Sequence, residues 1–215
     1  MTPAMADPFN ERNNTPTLFG LLRHGQTEWN TEKRIQGYGD SPLTAEGREQ
    51  TAKWVSTLQA YRWDRIFASD LGRVRETVAI INHHLQLPVD YDPRLREQGW
   101  GEWEGLTLPY IQANFQAELA RRVAMGWNFA APGGESRQAV KDRIFSALHE
   151  TSLNWPGRHI LVVCHQGVIK TALYHLTGRE FLPGEDPLLH HNRLHIISFS
   201  GTDFTPVQLN IPQSL

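Results

Sequence analysis

The stretch TLFGLLRHGQTEWN, residues 17–30, decides the fold prediction because a run of apolar residues leads directly into charged side chains. Residues 17–22 predict a short strand that is buried on both faces. Arg23 and His24 follow at its end, and two interpretations are open for them. They form an ordinary packed or solvent-facing pair, or the guanidinium prepares the imidazole to act on an anion. The other motifs of the chain distinguish these interpretations.

Strand and helix patterns alternate along the chain. Further strands are predicted at residues 65–68, 89–91 and 159–164, and the last has the strongest strand pattern. Helices are predicted from the cap Thr44 to about residue 60, along Val74, Val78, Ile81 and Leu85, after the cap Ser136, and over residues 168–176. Residues 194–199 and 207–209 are predicted as late strands, antiparallel at one edge. This order predicts an α/β fold with a mainly parallel central sheet and helices on both faces, in three layers.

The length of the chain suits one medium domain with a substantial core, since it has 215 residues and a mass of 24.5 kDa. Residues 1–16 are predicted to form a flexible N-terminal tail because the first residues are polar and rich in Pro and Asn. Residues 17–215 are predicted to form a single domain, in which residues 106–131 are a short helical cap. Pro132-Gly133-Gly134 is predicted to end this cap.

Composition and charge argue against several classes of partner. Lys and Arg total 21 against 23 Asp and Glu, so the formal net charge is −2 and no global positive field attracts nucleic acid or anionic lipid. No apolar stretch reaches the length of a membrane-spanning helix, and residues 1–14 lack the apolar core of a signal peptide. The single cysteine, Cys164, is typical of a reducing compartment. We therefore expect a cytoplasmic protein that binds neither nucleic acid nor membranes.

Two histidines, distant in sequence, follow predicted strands directly. His24 lies in Arg23-His24-Gly25 and His165 in Cys164-His165-Gln166-Gly167. Ligands of parallel α/β sheets bind beyond the carboxyl ends of the strands. Neighbouring strands would therefore bring the two imidazoles together over one pocket.

Six sequence pieces, spread over nearly the whole chain after residue 16, occur in one order. They are Arg23-His24-Gly25 with Asn30, Gly37 with Asp40-Ser41-Pro42-Leu43-Thr44, Ser69-Asp70-Leu71-Gly72-Arg73 with Thr77, Leu95-Arg96-Glu97 ahead of Gly101-Glu102-Trp103-Glu104-Gly105, Gly134-Glu135-Ser136, and Cys164-His165-Gln166-Gly167-Val168-Ile169. An Arg-His-Gly triplet alone is weak evidence because short motifs recur by chance, whereas six ordered pieces are strong evidence. In these motifs the chain resembles the histidine phosphatase superfamily, also called phosphoglycerate mutase-like.

The resemblance implies an enzyme that transfers the phosphoryl group of a phosphate ester to a histidine. His24 would be the nucleophile, and neighbouring guanidinium charges should lower its pKa and keep it neutral. Arg23 and Arg73 would hold the phosphoryl oxygens with forked donors, and Asn30 would add a neutral donor. His165, expected to be cationic, would face the charge that develops in the transition state.

The resemblance also implies a proton donor and further contacts to substrate. Glu97 is the predicted donor, since a carboxyl group beside a bound phosphate dianion shifts towards its protonated form, and a solvated charged face is the alternative. The same group would later activate the water that cleaves the phosphohistidine. Gly37 and Gln166 are predicted to complete the substrate site, with a simple turn as the alternative for Gly37. Because arginine and histidine supply the positive charge, neither a metal ion nor another cofactor is expected.

Within the superfamily, the chain is similar to the compact phosphatases. The mutase branch carries a longer insert after the acid motif, whereas only residues 106–131 separate Gly105 from Pro132. The acid phosphatase branch has an aspartate directly after the second histidine, where this chain has Gln166. The resemblance therefore implies a phosphomonoester hydrolase acting on a small phosphorylated metabolite, as a monomer or homodimer. A cofactor-dependent phosphoglycerate mutase, a protein-directed regulatory phosphatase and a non-catalytic phospho-ligand binder are the alternatives.

Three further groups are open to more than one interpretation. His191 and His195 have the spacing of a metal pair, but their loop-then-strand pattern favours ordinary residues. Arg121 and Arg122 form either a site for a second substrate anion or a solvated helix face, and the second is favoured. The aromatic residues of the cap line a lid, pack the cap onto the sheet, or do both: Tyr110, Phe115, Trp127 and Phe129.

Overall fold

The computed structural model describes residues 15–214, and its strands form one mixed sheet of six. They are β1 (Thr17–Arg23), β2 (Arg65–Ala68), β3 (Val89–Tyr91), β4 (His159–Cys164), β5 (Leu194–Phe199) and β6 (Phe204–Ile211), in the order β3-β2-β4-β1-β5-β6. The first four strands are parallel, whereas β5 is antiparallel to β1 and β6 to β5. The predicted mainly parallel sheet with late antiparallel strands at one edge is confirmed.

The predicted N-terminal tail, residues 1–16, lies outside the described residues apart from Thr15 and Pro16. Helices connect most of the strands. They are α1 (Glu28–Thr31), α2 (Ala45–Gln59), α3 (Gly72–Leu85), α4 (Leu108–Asn114), α5 (Gln116–Val123), α6 (Arg137–Asn154) and α7 (Gln166–Leu176). Within residues 15–214, no helix has both the length and the apolar composition needed to cross a bilayer.

Successive residues of each strand supply opposite faces of the sheet, because side chains alternate along a strand. Leu22 belongs to a buried cluster with side chains of α2 and α3, among them Trp54, Leu58, Val74, Val78 and Ile81. Its neighbour Leu21 belongs to a separate cluster with α6 and α7, among them Val140, Ile144, Leu148, Val168 and Ala172. Each such buried aliphatic side chain contributes about 1.5–3 kcal/mol. The predicted three-layer architecture is confirmed.

The register between β1 and β4 fixes the geometry of the site. These parallel neighbours pair Arg23 with Cys164, so His24 and His165 both follow directly after the last paired position. β2 lies on the other side of β4, which brings Ser69, the residue after β2, to the same edge. Three strand ends therefore deliver side chains to one place.

The cap segment, residues 106–131, consists of α4, α5 and a single 3-10 turn at Gly126–Asn128. Its apolar side chains form a separate hydrophobic cluster, in which Ile111, Phe129 and Ala131 are buried together with Trp103, which precedes the segment. Within the cap segment, Tyr110 also packs against Phe115, and their ring centroids are 6.3 Å apart. The expected helical content of this segment is present.

Several elements differ from the prediction in their boundaries or were not predicted. α7 begins at Gln166 rather than residue 168, because the extended backbone of His165 leads directly into its first turn. β6 extends over Phe204–Ile211 instead of 207–209, and Pro206 is tolerated because β6 is the edge strand. α1 was not predicted, since one turn of four residues has no hydrophobic period.

Candidate active site

Two imidazoles lie side by side at the carboxyl edge of the sheet. The backbone N–H of His24 donates to the carbonyl of Cys164 at 3.0 Å, which ties the end of β1 to the end of β4. The ring centroids of His24 and His165 are 5.2 Å apart, with 61° between the ring planes. Exposure is only 6% for His24 and 0% for His165. The two distant motifs therefore meet in one buried site.

The tautomer of His24 follows from its hydrogen bond. Nδ1 lies 2.7 Å from the carbonyl oxygen of Gly25. Because a carbonyl can only accept, Nδ1 carries the proton and Nε2 carries the lone pair. Gly25 is held in turn by its N–H, which donates to Thr77 Oγ1 at 3.0 Å. A Cβ at Gly25 would lie 2.4 Å from Thr51 Oγ1, so this close packing requires glycine.

The surroundings of His24 favour its neutral form. Burial lowers the pKa of His24 well below its usual 6.5, and the charges of Arg23 and Arg73 lower it further. The ring is therefore an unprotonated base at neutral pH. The guanidinium effect expected from the sequence is present, but burial is the larger cause.

His165 differs from the expectation that it is cationic. Burial lowers its pKa well below 6.5, and the neighbouring His24, Arg73 and Arg23 add to this effect. The ring is therefore neutral at neutral pH in this environment. Its Nε2 lies 2.9 Å from Ser69 Oγ, and its Nδ1 is buried without a hydrogen-bond partner among the described residues.

Arg73 is a buried cation anchored on one side. Its Nη1 donates to the carbonyl of Gly39 at 2.8 Å and to Asp40 Oδ1 at 3.2 Å, and Nη2 donates to the carbonyl of Gly37 at 2.9 Å. The residue is only 1% exposed, and its Nε has no partner among residues 15–214. Asp40 also caps the start of α3, since its carboxylate accepts from the N–H of Gly72 at 2.6 Å. The loop before α2 thus fixes the guanidinium.

Gly37 takes part through its backbone. Its φ of +52° lies in the left-handed region that favours glycine, and a Cβ there would lie 2.0 Å from Glu104 Oε1. The carbonyl of Gly37 accepts from Arg73, as described above. Gly37 therefore forms a turn whose carbonyl orients Arg73. A contact between Gly37 and substrate stays a prediction.

Arg23 adds a second positive charge beside His24. Its Nε is buried without a partner in the described part of the chain. Burial lowers the pKa of Arg23, Glu97 opposes this effect and Arg73 adds to it. An arginine remains charged despite such a shift because its pKa starts above 12. The charges of Arg73 and Glu97 therefore both act on the Arg23 guanidinium.

Glu97 is held by two backbone donors, one of which lies at the start of α7. Its Oε2 accepts from the N–H of Gly167 at 3.1 Å, and its Oε1 accepts from the N–H of Gln98 at 2.9 Å. Its carbonyl accepts from Arg143 Nη2 at 2.9 Å. Arg143 also pairs with Glu135 through bonds of 2.7 and 2.9 Å. Arg143, a side chain of α6, therefore supports the backbone of Glu97.

Asn30 and Gln166 lie at the starts of α1 and α7. Asn30 Oδ1 accepts from the N–H of Thr27 at 3.1 Å, and the N–H of Asn30 donates to Thr27 Oγ1 at 3.2 Å. This reciprocal pair is a capping box, so Asn30 shapes the loop after His24 and keeps its Nδ2 amide as a donor. Gln166 is the first residue of α7 and is half-buried beside His165.

The other arginine, cysteine and histidine residues considered from the sequence are packed or solvent-exposed. Arg122 bonds to Glu118 at 2.7 Å and to the carbonyl of Ala130 at 2.7 Å, whereas the Arg121 side chain is 72% exposed. Burial raises the pKa of the Cys164 thiol, which disfavours the reactive thiolate. His195 is 3% exposed within β5, and its Nδ1 accepts from the N–H of Asn210 at 3.2 Å.

Four residues that contact the site residues had no role assigned from the sequence. Ser69, Asp40 and Thr77 stand within the quoted motifs, and their positions beside strand or helix ends were the available signal. Arg143 gave no such signal, because the backbone carbonyl groups that it binds, those of Arg94 and Glu97, belong to a distant segment. Among residues 15–214, no group of three or more His, Cys, Asp or Glu residues is placed to hold a metal ion.

Comparison with known proteins assigns the chain to a family. The sequence model of the histidine phosphatase superfamily, branch 1, matches residues 19–212. The chain is 28% identical over 188 residues to the uncharacterized phosphatase PhoE of Bacillus subtilis, over 87% of this chain and 89% of that protein. It is 36% identical over 148 residues to the probable phosphoglycerate mutase GpmB of Shigella dysenteriae, over 67% of each chain.

A solved structure supports the same assignment. The mycobacterial glucosyl-3-phosphoglycerate phosphatase is 30% identical, with a TM-score of 0.79, over 90% of this chain and 98% of that one. The family match covers nearly all of the described sheet and both site histidines. The chain therefore belongs to the histidine phosphatase superfamily.

Proposed function

We propose that the protein hydrolyses phosphomonoesters of small metabolites through a phosphohistidine at His24, without a metal ion. One observation carries this proposal. His24 is a buried neutral imidazole whose Nδ1 is bonded to Gly25, which leaves Nε2 as a nucleophile, and the charges of half-buried Arg23 and buried Arg73 act on it. Membership of a phosphatase superfamily supports the same reaction class.

The first step transfers the phosphoryl group to the enzyme. The Nε2 lone pair of His24 forms a bond to phosphorus while the bond from phosphorus to the ester oxygen breaks. Arg23 and Arg73 bind the negatively charged phosphoryl oxygens, and their charge replaces that of a metal ion. Glu97 gives its proton to the leaving oxygen, so the product leaves as an alcohol.

The second step returns the enzyme to its starting state. A water molecule attacks phosphorus and the bond between phosphorus and Nε2 breaks, which releases inorganic phosphate. The Glu97 carboxylate accepts the proton of that water and is ready for the next cycle. Its two backbone bonds, to Gly167 and Gln98, keep the carboxyl group oriented in both steps.

The substrate class is inferred from two similar proteins. One is called a phosphatase, and the other acts on glucosyl-3-phosphoglycerate according to its name. A small phosphorylated metabolite is therefore the favoured substrate. The similarity to GpmB, at 36% identity, favours phosphoglycerate mutase activity as a second candidate.

The nucleophile is tested by a histidine substitution. We expect the purified protein to hydrolyse p-nitrophenyl phosphate in the presence of a chelator, and His24→Ala to lower kcat by at least about 1,000-fold because the covalent route is lost. His84→Ala, which changes an exposed histidine at the end of α3, is the matched control with unchanged kcat. Mass spectrometry after a rapid acid-free quench should locate the phosphoryl group on His24. Chelator-sensitive turnover, or a modification elsewhere, would contradict the proposal.

The mutase alternative is separated by a second assay. Interconversion of 3-phosphoglycerate and 2-phosphoglycerate is measured with and without 2,3-bisphosphoglycerate, alongside release of inorganic phosphate. A hydrolase releases phosphate and accumulates no isomer. Isomer formation that depends on the bisphosphate, with little phosphate release, would assign the chain to the mutases instead.

A further inference from the structure

Ser69 lies against the second imidazole of the site and has no role in the steps above. It follows β2, and its N–H donates to the carbonyl of Val163 in β4 at 3.0 Å, which fixes its backbone beside the end of that strand. The residue is 0% exposed. Its Oγ lies 2.9 Å from Nε2 of His165.

The contacts of Ser69 determine the direction of that hydrogen bond. Its Oγ also lies 3.4 Å from the N–H of Leu71, which can only donate, so Oγ accepts there and retains its own hydrogen for another partner. If Nε2 of His165 carried the proton, the buried serine hydrogen would have no acceptor among the contacts of the described residues. Buried polar groups are overwhelmingly hydrogen-bonded, so the hydroxyl donates to Nε2.

This direction fixes the proton of a neutral imidazole on the other nitrogen. We propose that Ser69 is a positioning residue that holds His165 as the Nδ1–H tautomer, so that Nδ1 donates a hydrogen bond to a phosphoryl oxygen. The inference rests on the proposed function for the identity of the acceptor. Nδ1 is buried, has no partner among residues 15–214, and belongs to a ring that contacts the nucleophilic His24.

The two histidines then present opposite groups to the phosphate. His24 is bonded through Nδ1–H to Gly25 and presents the Nε2 lone pair, which attacks. His165 is bonded through Nε2 to Ser69 and presents Nδ1–H, which donates. This arrangement explains how a neutral His165 stabilises transition-state charge, since a preorganised donor does not have to be cationic.

The tautomer is measured directly on the wild-type protein. Long-range 1H–15N spectra of 15N-labelled protein, with His165 assigned by comparison with His165→Gln, distinguish a protonated Nδ1 from a protonated Nε2. We expect protonated Nδ1 and unprotonated Nε2 at pH 7.5. A protonated Nε2 in the wild type would overturn the inference, and this result does not depend on any serine variant.

The catalytic consequence is measured with substitutions of the serine. Ser69→Ala should redistribute the His165 tautomer and lower kcat by about 10- to 100-fold with little change in KM, because the donor acts mainly in the transition state. Ser69→Thr, which keeps the hydroxyl, should restore the tautomer and part of kcat. Ser152→Ala is the control, since Ser152 is a buried serine of α6 whose Oγ bonds to the carbonyl of His149 at 2.6 Å.

The outcomes separate this inference from the proposed function. An active enzyme in which Ser69→Ala has the wild-type tautomer and wild-type kcat overturns the inference alone. A wild-type protein that hydrolyses no phosphate ester overturns the proposed function and the catalytic role of Nδ1, and the spectra still report whether Ser69 sets the tautomer.

Discussion

At the scale of single residues, two glycines of the site are packed too closely against their neighbours to carry a side chain. A Cβ at Gly167 would lie 2.3 Å from Glu97 Oε1, and a Cβ at Gly25 would lie 2.4 Å from Thr51 Oγ1. Real Cβ atoms do not tolerate such distances, so any other residue must displace its neighbour. The glycine at 167 thus allows a backbone N–H to reach the carboxylate that we propose as acid and base.

Gly167→Ala is expected to displace the Glu97 carboxyl group and lower kcat by at least about 10-fold, because a small misplacement of a catalytic group is costly. Stability should change little, since alanine favours the helix. Gly99→Ala is the matched control, because its Cβ would meet its nearest neighbours at an ordinary 3.6 Å. Steady-state kinetics and thermal unfolding check both variants. Unchanged kcat in Gly167→Ala would contradict the role of Glu97.

At the scale of elements, helix ends and one helix side chain position the site. α7 contributes the N–H of Gly167, which binds Glu97. At the start of α3, the carboxylate of Asp40 accepts from the first backbone N–H groups of the helix and from the guanidinium of Arg73. α6 contributes Arg143, which bonds to Glu135 and to the carbonyl of Glu97. Caps and hydrophobic periods predicted α3 and α6. The bond from Arg143 to the carbonyl of Glu97 could not be predicted because the two residues are 46 positions apart in the chain.

Arg143→Met is expected to lower the free energy of unfolding by about 2–3 kcal/mol, because Glu135 and the carbonyl of Glu97 lose their hydrogen-bond donor. The loss is large because the side chains of Arg143 and Glu135 are both less than 20% exposed. Glu135→Gln combined with Arg143→Met closes a double-mutant cycle. Urea denaturation measures each corner, and kcat should fall as Glu97 loses its support. A cost within 0.5 kcal/mol, roughly that of an ordinary surface change, would show that the pair is unimportant.

At the scale of the whole molecule, burial sets the charge state of the site. The formal net charge is −2, yet the site gathers Arg23 and Arg73 beside two neutral imidazoles. His195 is a third buried histidine, and burial lowers its pKa to about 4. Folding therefore suppresses protonation of several histidines, and stability becomes dependent on pH.

We expect the free energy of unfolding to decrease as pH falls below about 6.5, by up to about 1.4 kcal/mol per pH unit for each such histidine. The sign follows because the unfolded chain binds these protons and the folded chain does not until a much lower pH. Urea denaturation at pH 7.5, 6.5 and 5.5 measures the slope. His24→Gln should reduce it, and the exposed His84→Gln should leave it unchanged. A flat profile across this window would contradict the burial of neutral rings.

The sequence by itself determined the fold class, because apolar periods and caps act locally and their alternation favours a mainly parallel sheet covered by helices. It also determined which residue types the site contains, since Arg23-His24-Gly25 and Cys164-His165-Gln166 both follow strands. Only the tertiary structure decided the adjacency of β1 and β4, the neutral state of His165 and the partners Ser69 and Arg143. Burial and hydrogen-bond direction depend on segments brought together by folding, and a linear pattern does not carry them.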